Sequence, residues 1–348
     1  MHPLSLVRGN HGVLVTTRVV ATSDLHLTPE TAPYVWAALD EFRAAAEHAD
    51  ASVIAGDVLD QPETLHTRTF LELRRRLQEW PTPIYVLAGN HDQHDAPRAA
   101  LEALEGGRVE VVTSHRWNHL SAMVPYVRTE EEWRAAIAAL GLARTASGGV
   151  LFAHQGFRGA YLNAMRRDAT GMPCDSVPPG WVVATGHYHC PQNLGPVVYC
   201  GSPYETTFAE EGQAKGFLVW DDIHGNPVPR RVAYGDLGAP KHHTVWWDPD
   251  QGPPTRPDVR PGDRVRVRTL AGRRRATEAA TQLVTVGLEA VPVLAEADEA
   301  TARGVVASTL GPREAAEAYA ARVIGARGVV SPADMDELAE EAGLWHAG

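Results

Sequence analysis

The sequence predicts an α/β fold, one large domain with a smaller α/β unit appended. Three observations lead there. Short β-branched runs alternate with helical patterns along the first half of the chain. Five of those runs stop at polar clusters: Ser23-Asp24-Leu25-His26, Gly56-Asp57, Gly89-Asn90-His91-Asp92, His154 and Gly186-His187-Tyr188-His189. Loops at strand ends are where α/β proteins display their chemistry. The third observation is a stretch rich in Pro, Gly and Asp at 236–261, which reads as a linker between 1–235 and 262–348.

Composition agrees and excludes several classes. A chain of 348 residues can bury a core of this size. No apolar run approaches the roughly 18 residues of a membrane span. The first ten residues hold one Arg and no apolar core, so they do not read as a signal peptide. Three cysteines without a C-x-x-C pair suggest neither a disulfide framework nor a zinc knuckle, and a reducing cytoplasm is the expected setting. A net charge of −11 argues against nucleic-acid binding through a broad basic face.

In order, residues 1–12 read as an irregular lead-in and 13–21 as a β-rich strand ending at Asp24 and His26. Pro33 stands where a helix can start, and an Ala-rich pattern runs from 34 to 48. Residues 52–55 form a short apolar strand that delivers Asp57. An amphipathic helix spans 63–80, stopped by Pro81 and Pro83. The run Ile84-Tyr85-Val86-Leu87-Ala88 is a buried strand in front of Asn90 and His91. A short helix at 97–104, strands at 108–112 and 120–127, and a helix from the cap Thr129 to 140 follow. Strands at 149–153 and 181–185 flank a mostly irregular loop, 158–179. Runs at 197–200, 216–220 and 228–233 are spaced like antiparallel strands. Beyond the linker, 264–270 alternates Arg with Val or Leu, a one-faced strand. A helix at 274–286 and a strand at 291–295 complete a βαβ-like unit, and two Ala- and Glu-rich helices, 312–324 and 332–342, follow.

Set His91 aside and seven groups remain at the strand ends: Asp24, His26, Asp57, Asn90, His154, His187 and His189. All are oxygen or imidazole donors, a mixture suited to manganese, iron or zinc. The absence of thiolate argues against a closed structural zinc site. Seven ligands exceed what one ion takes. They suit two ions sharing a carboxylate, the equipment for displacement at phosphorus with metals about 3.5–4 Å apart. Asp24 and His26, like His187 and His189, are separated by one position, which on an extended strand end puts both side chains on one face.

The blocks D-x-H, G-D-x-x-D, G-N-H-D, H and G-H-x-H, in this order from Asp24 to His189, resemble those of the calcineurin-like metallophosphoesterase superfamily. The stretch from His187 and His189 through Tyr199-Cys200-Gly201-Ser202-Pro203 and Glu210 to Lys215-Gly216-Phe217 is similar, more narrowly, to the SbcD-type DNA nucleases, as is the appended C-terminal unit. The resemblance implies a four-layer α/β/β/α core, two mixed β-sheets flanked by helices, over 1–235, and a small α/β cap over 262–348. It implies one ion on Asp24, His26, Asp57 and His189, and another on Asp57, Asn90, His154 and His187. Mn2+ is the expected metal, with Mg2+, Fe2+ or Zn2+ as alternatives. The ions would activate a water to attack phosphorus. His91 would not ligate but would stabilise or protonate the leaving oxygen, and Asp92 would orient it.

Some nuclease relatives carry a histidine three residues after the bridging aspartate, where this chain has Asp60. Asp60 is therefore a candidate substrate contact, unless His66 takes that place or is simply an exposed helical residue. Arg264, Arg266, Arg268, Arg273, Arg274 and Arg275 form the one basic concentration. They could track a DNA backbone, or be the solvated face of an edge strand. His242, His243, Trp246 and Trp247 read as packing residues.

The function this resemblance implies is two-metal hydrolysis of DNA, exo- and endonucleolytic, in the nuclease subunit of an SbcC–SbcD-like complex for repair or recombination. It also implies a homodimer through the helices near 64–80 and 97–104. The C-terminal helices would dock on an SbcC-like coiled-coil ATPase, since this chain has no G-x-x-x-x-G-K-[ST] loop of its own. A phosphodiesterase for small molecules, a phosphoprotein phosphatase and a scaffold that has lost its metals are the rival readings.

Overall fold

The structure, a computed structural model, describes residues 16–60, 66–93, 98–118, 120–145, 148–162, 166–246, 259–268 and 289–292. The chain divides into two units, Met1–Ala239 and Pro240–Gly348. Within the first unit the elements are β1 (Val19–Thr22), α1 (Ala32–Ala46), β2 (Ala51–Ile54), α2 (Thr67–Gln78), β3 (Ile84–Leu87), α3 (Arg98–Glu102) and β4 (Val109–Val112). They continue with β5 (Arg116–Trp117), β6 (Ala122–Val124), α4 (Glu130–Leu140), β7 (Gly149–His154), β8 (Trp181–Gly186), β9 (Asn193–Leu194), β10 (Val197–Tyr199), β11 (Gly216–Trp220) and β12 (Arg230–Ala233).

These strands form two six-stranded sheets, β12-β11-β1-β2-β3-β4 and β5-β6-β7-β8-β10-β9. Both are mixed. In the first, β1 to β4 are parallel, while β11 runs antiparallel to both β1 and β12. In the second, β6, β7, β8 and β10 are parallel, with antiparallel β5 and β9 at the edges.

Side-chain alternation sorts the core into three seams. On β3, Ile84 and Val86 join the helices, while Tyr85 and Leu87 face the other sheet; on β11, Phe217 and Val219 part from Leu218 and Trp220 in the same way. The outer seam packs Val35, Leu39 and Phe42 of α1 and Phe70, Leu73 and Leu77 of α2 on the first sheet. The central seam joins the two sheets, with the Phe152 ring edge-on to Trp220 at 5.4 Å. The third packs Trp133, Ile137 and Leu140 of α4 on the second sheet. Three seams make four layers, α/β/β/α. Strands covered on both faces read as unbroken apolar runs, which is why 84–88 stood out.

Local chemistry sets several boundaries. Thr129 closes a reciprocal capping box with Glu132 at the start of α4, and Gly141 ends that helix at φ 66°. The strand expected at 120–127 is shortened to Ala122–Val124 because Pro125 has no N–H to donate. The first strand begins at Val19 rather than 13, and 13–15 lie outside the described residues. β5 and β9 went unread, since two residues show no alternation.

One pairing expectation is corrected. Of the runs at 197–200, 216–220 and 228–233, only the last two pair with each other; β10 lies parallel to β8 in the other sheet. The connection between β10 and β11 is long enough to cross from sheet to sheet, whereas a tight turn would have kept the strands adjacent.

In the second unit, β13 (His242–Trp246), β14 (Arg264–Arg268) and β15 (Glu289–Pro292) form a parallel sheet in that order. A strand therefore stands inside the stretch whose composition reads as linker. Its Thr and Val are β-formers, outweighed in the sequence by the Pro and Gly around them. β14 is central, so the edge-strand reading of its arginines is wrong: Val265 and Val267 are buried, and the Arg266 guanidinium donates to Thr244 Oγ1 at 2.8 Å. His242 and His243 are buried, and the His243 ring contacts Asp263 Oδ2 at 2.9 Å. Trp247, Arg273, Arg274, Arg275 and the helices expected at 274–286, 312–324 and 332–342 lie outside the described residues. Among the described residues no helix is long and apolar enough to cross a membrane.

Candidate metal centre

Every candidate donor sits at the C-terminal end of a parallel strand. β1 leads to Asp24 and His26, β2 to Asp57, β3 to Asn90 and His91; β7 ends on His154, and β8 precedes His187 and His189. Strand ends there leave room for a ligand.

Four donors adopt left-handed backbone: Asp24 (φ 54°), His26 (46°), Asp57 (50°) and His187 (89°). The pleat of an extended strand therefore does not align Asp24 with His26, as the spacing had suggested; consecutive turns do. A non-glycine residue there costs about 1–3 kcal/mol. Cross-loop bonds hold the turns, Asp24 N–H to the Gly56 carbonyl at 3.0 Å and His26 N–H to the Asp57 carbonyl at 3.1 Å. Two glycines make the close approach possible. A Cβ at Gly56 would overlap the His154 ring, and one at Gly89 would overlap Asp57 Oδ1.

The seven predicted donors come together as two groups. Ligand atoms of Asp24, His26 and His189 lie within 4.8 Å of one another, as do those of Asp57, His154 and His187. Asn90 Oδ1 joins the second group, 2.7 Å from His187 Nδ1 and 3.1 Å from His154 Nε2. Asp57 stands between the groups, its Oδ2 3.2 Å from His154 Nε2 and 3.9 Å from His26 Nε2.

Hydrogen bonding decides what fits there. His154 Nδ1 lies 2.7 Å from the Ala55 carbonyl oxygen, which can only accept, so Nδ1 carries the hydrogen and Nε2 turns a lone pair toward Asp57. On the other side, His189 Nδ1 lies 2.8 Å from Thr206 Oγ1 and 3.1 Å from Glu210 Oε1, while its Nε2 faces His26 Nε2 at 2.9 Å. A cation, proton or metal ion, suits the space that these nitrogen and carboxylate atoms share. Nitrogen and carboxylate donors, with one ring in each group, His154 and His189, tied outward through Nδ1, fit divalent metal in both groups.

Without metal a proton takes that place. Burial pulls His154 down, but Asp57 outweighs it and pushes the imidazole up to about 9. Burial opposes ionisation of Asp57 as well, yet His154 and His26 hold it well below the usual carboxylate range. His187, buried and beside His154, is pulled down to about 4 and titrates below neutral pH.

A test follows. A histidine raised on folding stabilises fully below its unfolded pKa of about 6.5 and loses that contribution as pH rises through its folded value. For His154 that value is about 9. The chelator-treated protein is therefore expected to melt at progressively lower temperature from pH 7 to 9. The metal-loaded protein should not, because metal has already displaced the proton. Parallel melting curves with and without chelator check this; identical pH slopes would refute the His154 assignment.

His91 is held separately. Its N–H donates to Asp57 Oδ1 at 2.9 Å, its Nδ1 lies 2.6 Å from the Asp60 carbonyl, and its ring stands edge-on to His26 at 4.8 Å. The expectation that Asp92 orients this ring is corrected. Buried Asp92 accepts the N–H groups of Gly89 (2.9 Å), Leu59 (3.0 Å) and Val58 (3.2 Å), tying the loop after β3 to the loop after β2. Buried backbone donors must be satisfied, and this carboxylate is the acceptor within reach. Burial and the Asp57 charge push its carboxyl up to about 6, against those N–H bonds.

Asp60 turns its carboxylate toward His26 Nδ1, 3.2 Å away but outside hydrogen-bond geometry. His26, Asp60 and His91 thus form a third group of potential ligand atoms sharing His26. His66 is exposed at the N-cap of α2. Arg266 and Arg268 lie on β14 of the second unit.

Sequence reasoning missed the residues that support the donors. Ser23 Oγ donates to Asp24 Oδ2 at 2.5 Å, and the His187 N–H to Asp24 Oδ1 at 2.9 Å. The His187 ring lies between Tyr126 and Tyr188, centroids 5.7 and 4.8 Å away, and the Tyr188 hydroxyl donates to Asp168 at 2.7 Å. The buried pair Glu210–Lys215 lies in the nuclease-like stretch, but nothing in the sequence points it at His189.

Comparison with solved structures finds low-identity neighbours. Yfce, a phosphoesterase from E. coli, is 14% identical, covers 63% of this chain and 100% of its own, and superposes with a TM-score of 0.33. An archaeal phosphodiesterase is 12% identical over 62% of this chain and 99% of its own, with a TM-score of 0.33. A 5′-nucleotidase precursor from Thermus thermophilus is 16% identical over 64% of this chain and 54% of its own, with a TM-score of 0.36. A search of curated proteins finds no match. The family model of the calcineurin-like phosphoesterases matches residues 17–220, more than half of the 348. That span contains all five donor-bearing loops, and the chain belongs to the calcineurin-like phosphoesterase family.

Proposed function

We propose that this chain hydrolyses phosphodiester bonds of DNA with two divalent ions, Mn2+ first among them, as the nuclease subunit of a complex with an SbcC-like ATPase. The observation that carries the hydrolytic part is the meeting of two donor groups at Asp57 with His91 beside them, its Nδ1 turned to the Asp60 carbonyl. The nuclease part is supported by the SbcD-like stretch from His187 to Phe217 and by the appended second unit. The family fold alone would serve several phosphoesters.

Bound ions would neutralise charge on the phosphoryl oxygens and lower the pKa of water. The protein's part is positional. The backbone N–H to Asp57 and the Nδ1–H to the Asp60 carbonyl leave Nε2, in the imidazolium form of His91, as the nitrogen able to give a proton to the leaving oxygen. Asp92 keeps the His91 and Asp57 loops together through backbone bonds. With a net charge of −11 the chain should hold DNA weakly by itself, with affinity that falls steeply as salt rises.

The test is turnover by Mn2+-loaded protein on linear and hairpin DNA, a cyclic nucleotide and a phosphopeptide, with co-purification of a large ATP-binding chain from native extract as the partner assay. DNA cleavage exceeding the other activities is expected. Turnover of the phosphopeptide or cyclic nucleotide with DNA left intact would overturn the nuclease reading and leave the family assignment standing.

A further inference from the structure

The segment between Tyr199 and Gly216 crosses from the second sheet to the first, and it carries a buried ion pair aimed at a single histidine. Glu210 Oε1 accepts from Thr206 Oγ1 at 2.5 Å and lies 3.1 Å from His189 Nδ1. Its Oε2 accepts from Lys215 Nζ at 2.6 Å, Ser202 Oγ at 3.1 Å and the Thr206 N–H at 3.2 Å. Lys215 Nζ donates in addition to the His189 carbonyl at 2.9 Å and to Gln213 Oε1 at 3.2 Å, and lies 3.0 Å from Ser202 Oγ. Ring and carbonyl of His189 are thus held by the two ends of one charge pair. Both partners are at most 9% exposed.

Such a pair is not needed for stability, because apolar residues of similar volume commonly do as well in a core. What it adds is a fixed negative acceptor at Nδ1 and a clamp on the backbone of the same residue. An acceptor at Nδ1 keeps the hydrogen there and turns the Nε2 lone pair inward. His154 relies on a neutral carbonyl for the same purpose, and His26 has only the poorly aligned Asp60.

We infer that Glu210 and Lys215 are positioning residues that set the tautomer and aim of His189, and through it the affinity of the Asp24–His26–His189 group for its ion, leaving the Asp57–His154–His187 group unaffected. This rests on the two-ion reading of the centre. The pair serves one site because its contacts reach His189 and neither His154 nor His187.

The experiment is calorimetric titration of the full metal-stripped chain with Mn2+ alone, together with nitrogen NMR of the His189 ring. Wild type is compared with Glu210→Gln/Lys215→Met, which removes both charges and strands neither, and with Thr206→Val, which keeps the pair. The double variant should bind one ion as wild type does and the other about 10–100-fold more weakly, the usual cost of losing an outer partner of a ligating histidine. Its His189 Nδ1–H signal should report a weaker hydrogen bond than in wild type, because a neutral amide oxygen replaces the carboxylate as acceptor. Thr206→Val, which takes away the hydroxyl 2.8 Å from Nδ1 and keeps the pair, should weaken the same ion by a smaller factor; Glu210→Gln alone carries the comparison if the double variant does not fold. Equal weakening of both ions would make the segment a general prop and overturn the inference, as would two unchanged affinities. Wild type binding fewer than two ions would instead overturn the reading underneath it.

Discussion

Asp57→Ala is expected to empty both metal groups and to reduce turnover to background. Asp57 Oδ2 reaches both sides, 3.2 Å from His154 Nε2 and 3.9 Å from His26 Nε2, and Oδ1 fixes the His91 N–H at 2.9 Å. Its loss would remove the proposed shared ligand and release the loop that carries Asn90 and His91. It also strands His154, which Asp57 raises to about 9. Breaking a buried charged pair from one side costs about 3–5 kcal/mol, so the metal-free variant should melt lower and lose its pH slope between 7 and 9. Asp57→Asn is the matched control: it preserves shape and tolerates the left-handed backbone at φ 50°, but lacks the charge that two cations need. Elemental analysis after gel filtration reads the result. Two tightly retained ions in Asp57→Ala would remove the bridging role, and with it the two-ion centre.

His91→Ala should do the opposite with the metals. Both ions stay, and turnover falls by about 10²–10⁴-fold, the range expected for loss of a general acid. Substrate choice sharpens the point. An ester with a nitrophenolate leaving group needs no proton, so its hydrolysis should be largely spared while DNA cleavage collapses. The alternative is present in the geometry, since His91 also groups with His26 and Asp60. Loss of an ion in His91→Ala, with both substrates equally impaired, would reassign it as a ligand.

Much of this centre was legible in one dimension. Asp24, His26, Asp57, Asn90, His154, His187 and His189 were identifiable because donors of the right type stood where apolar runs ended, and both features are local. The four layers were implied by the family likeness, and the runs apolar on both faces agree with them. Legibility failed wherever a residue's partner is remote. Asp92 was assigned to its neighbour His91, yet it satisfies N–H groups at Val58 and Leu59 in a loop more than thirty positions earlier. The β10 strand was grouped with the strands after it but pairs with β8. β13 was hidden by the composition around it.

What the amino-acid order determined unaided was the inventory, namely which donors, in what sequence, at the tips of which strands. Tertiary structure decided the assignments: that Asp57 lies between the groups, that His154 leans on Ala55 and His189 on Glu210, and that Asp92 serves the backbone. The reason lies in the reach of the forces. Hydrophobic periodicity and donor type are written residue by residue, whereas the nitrogen that keeps its hydrogen depends on whichever carbonyl or carboxylate a distant loop brings within about 3 Å.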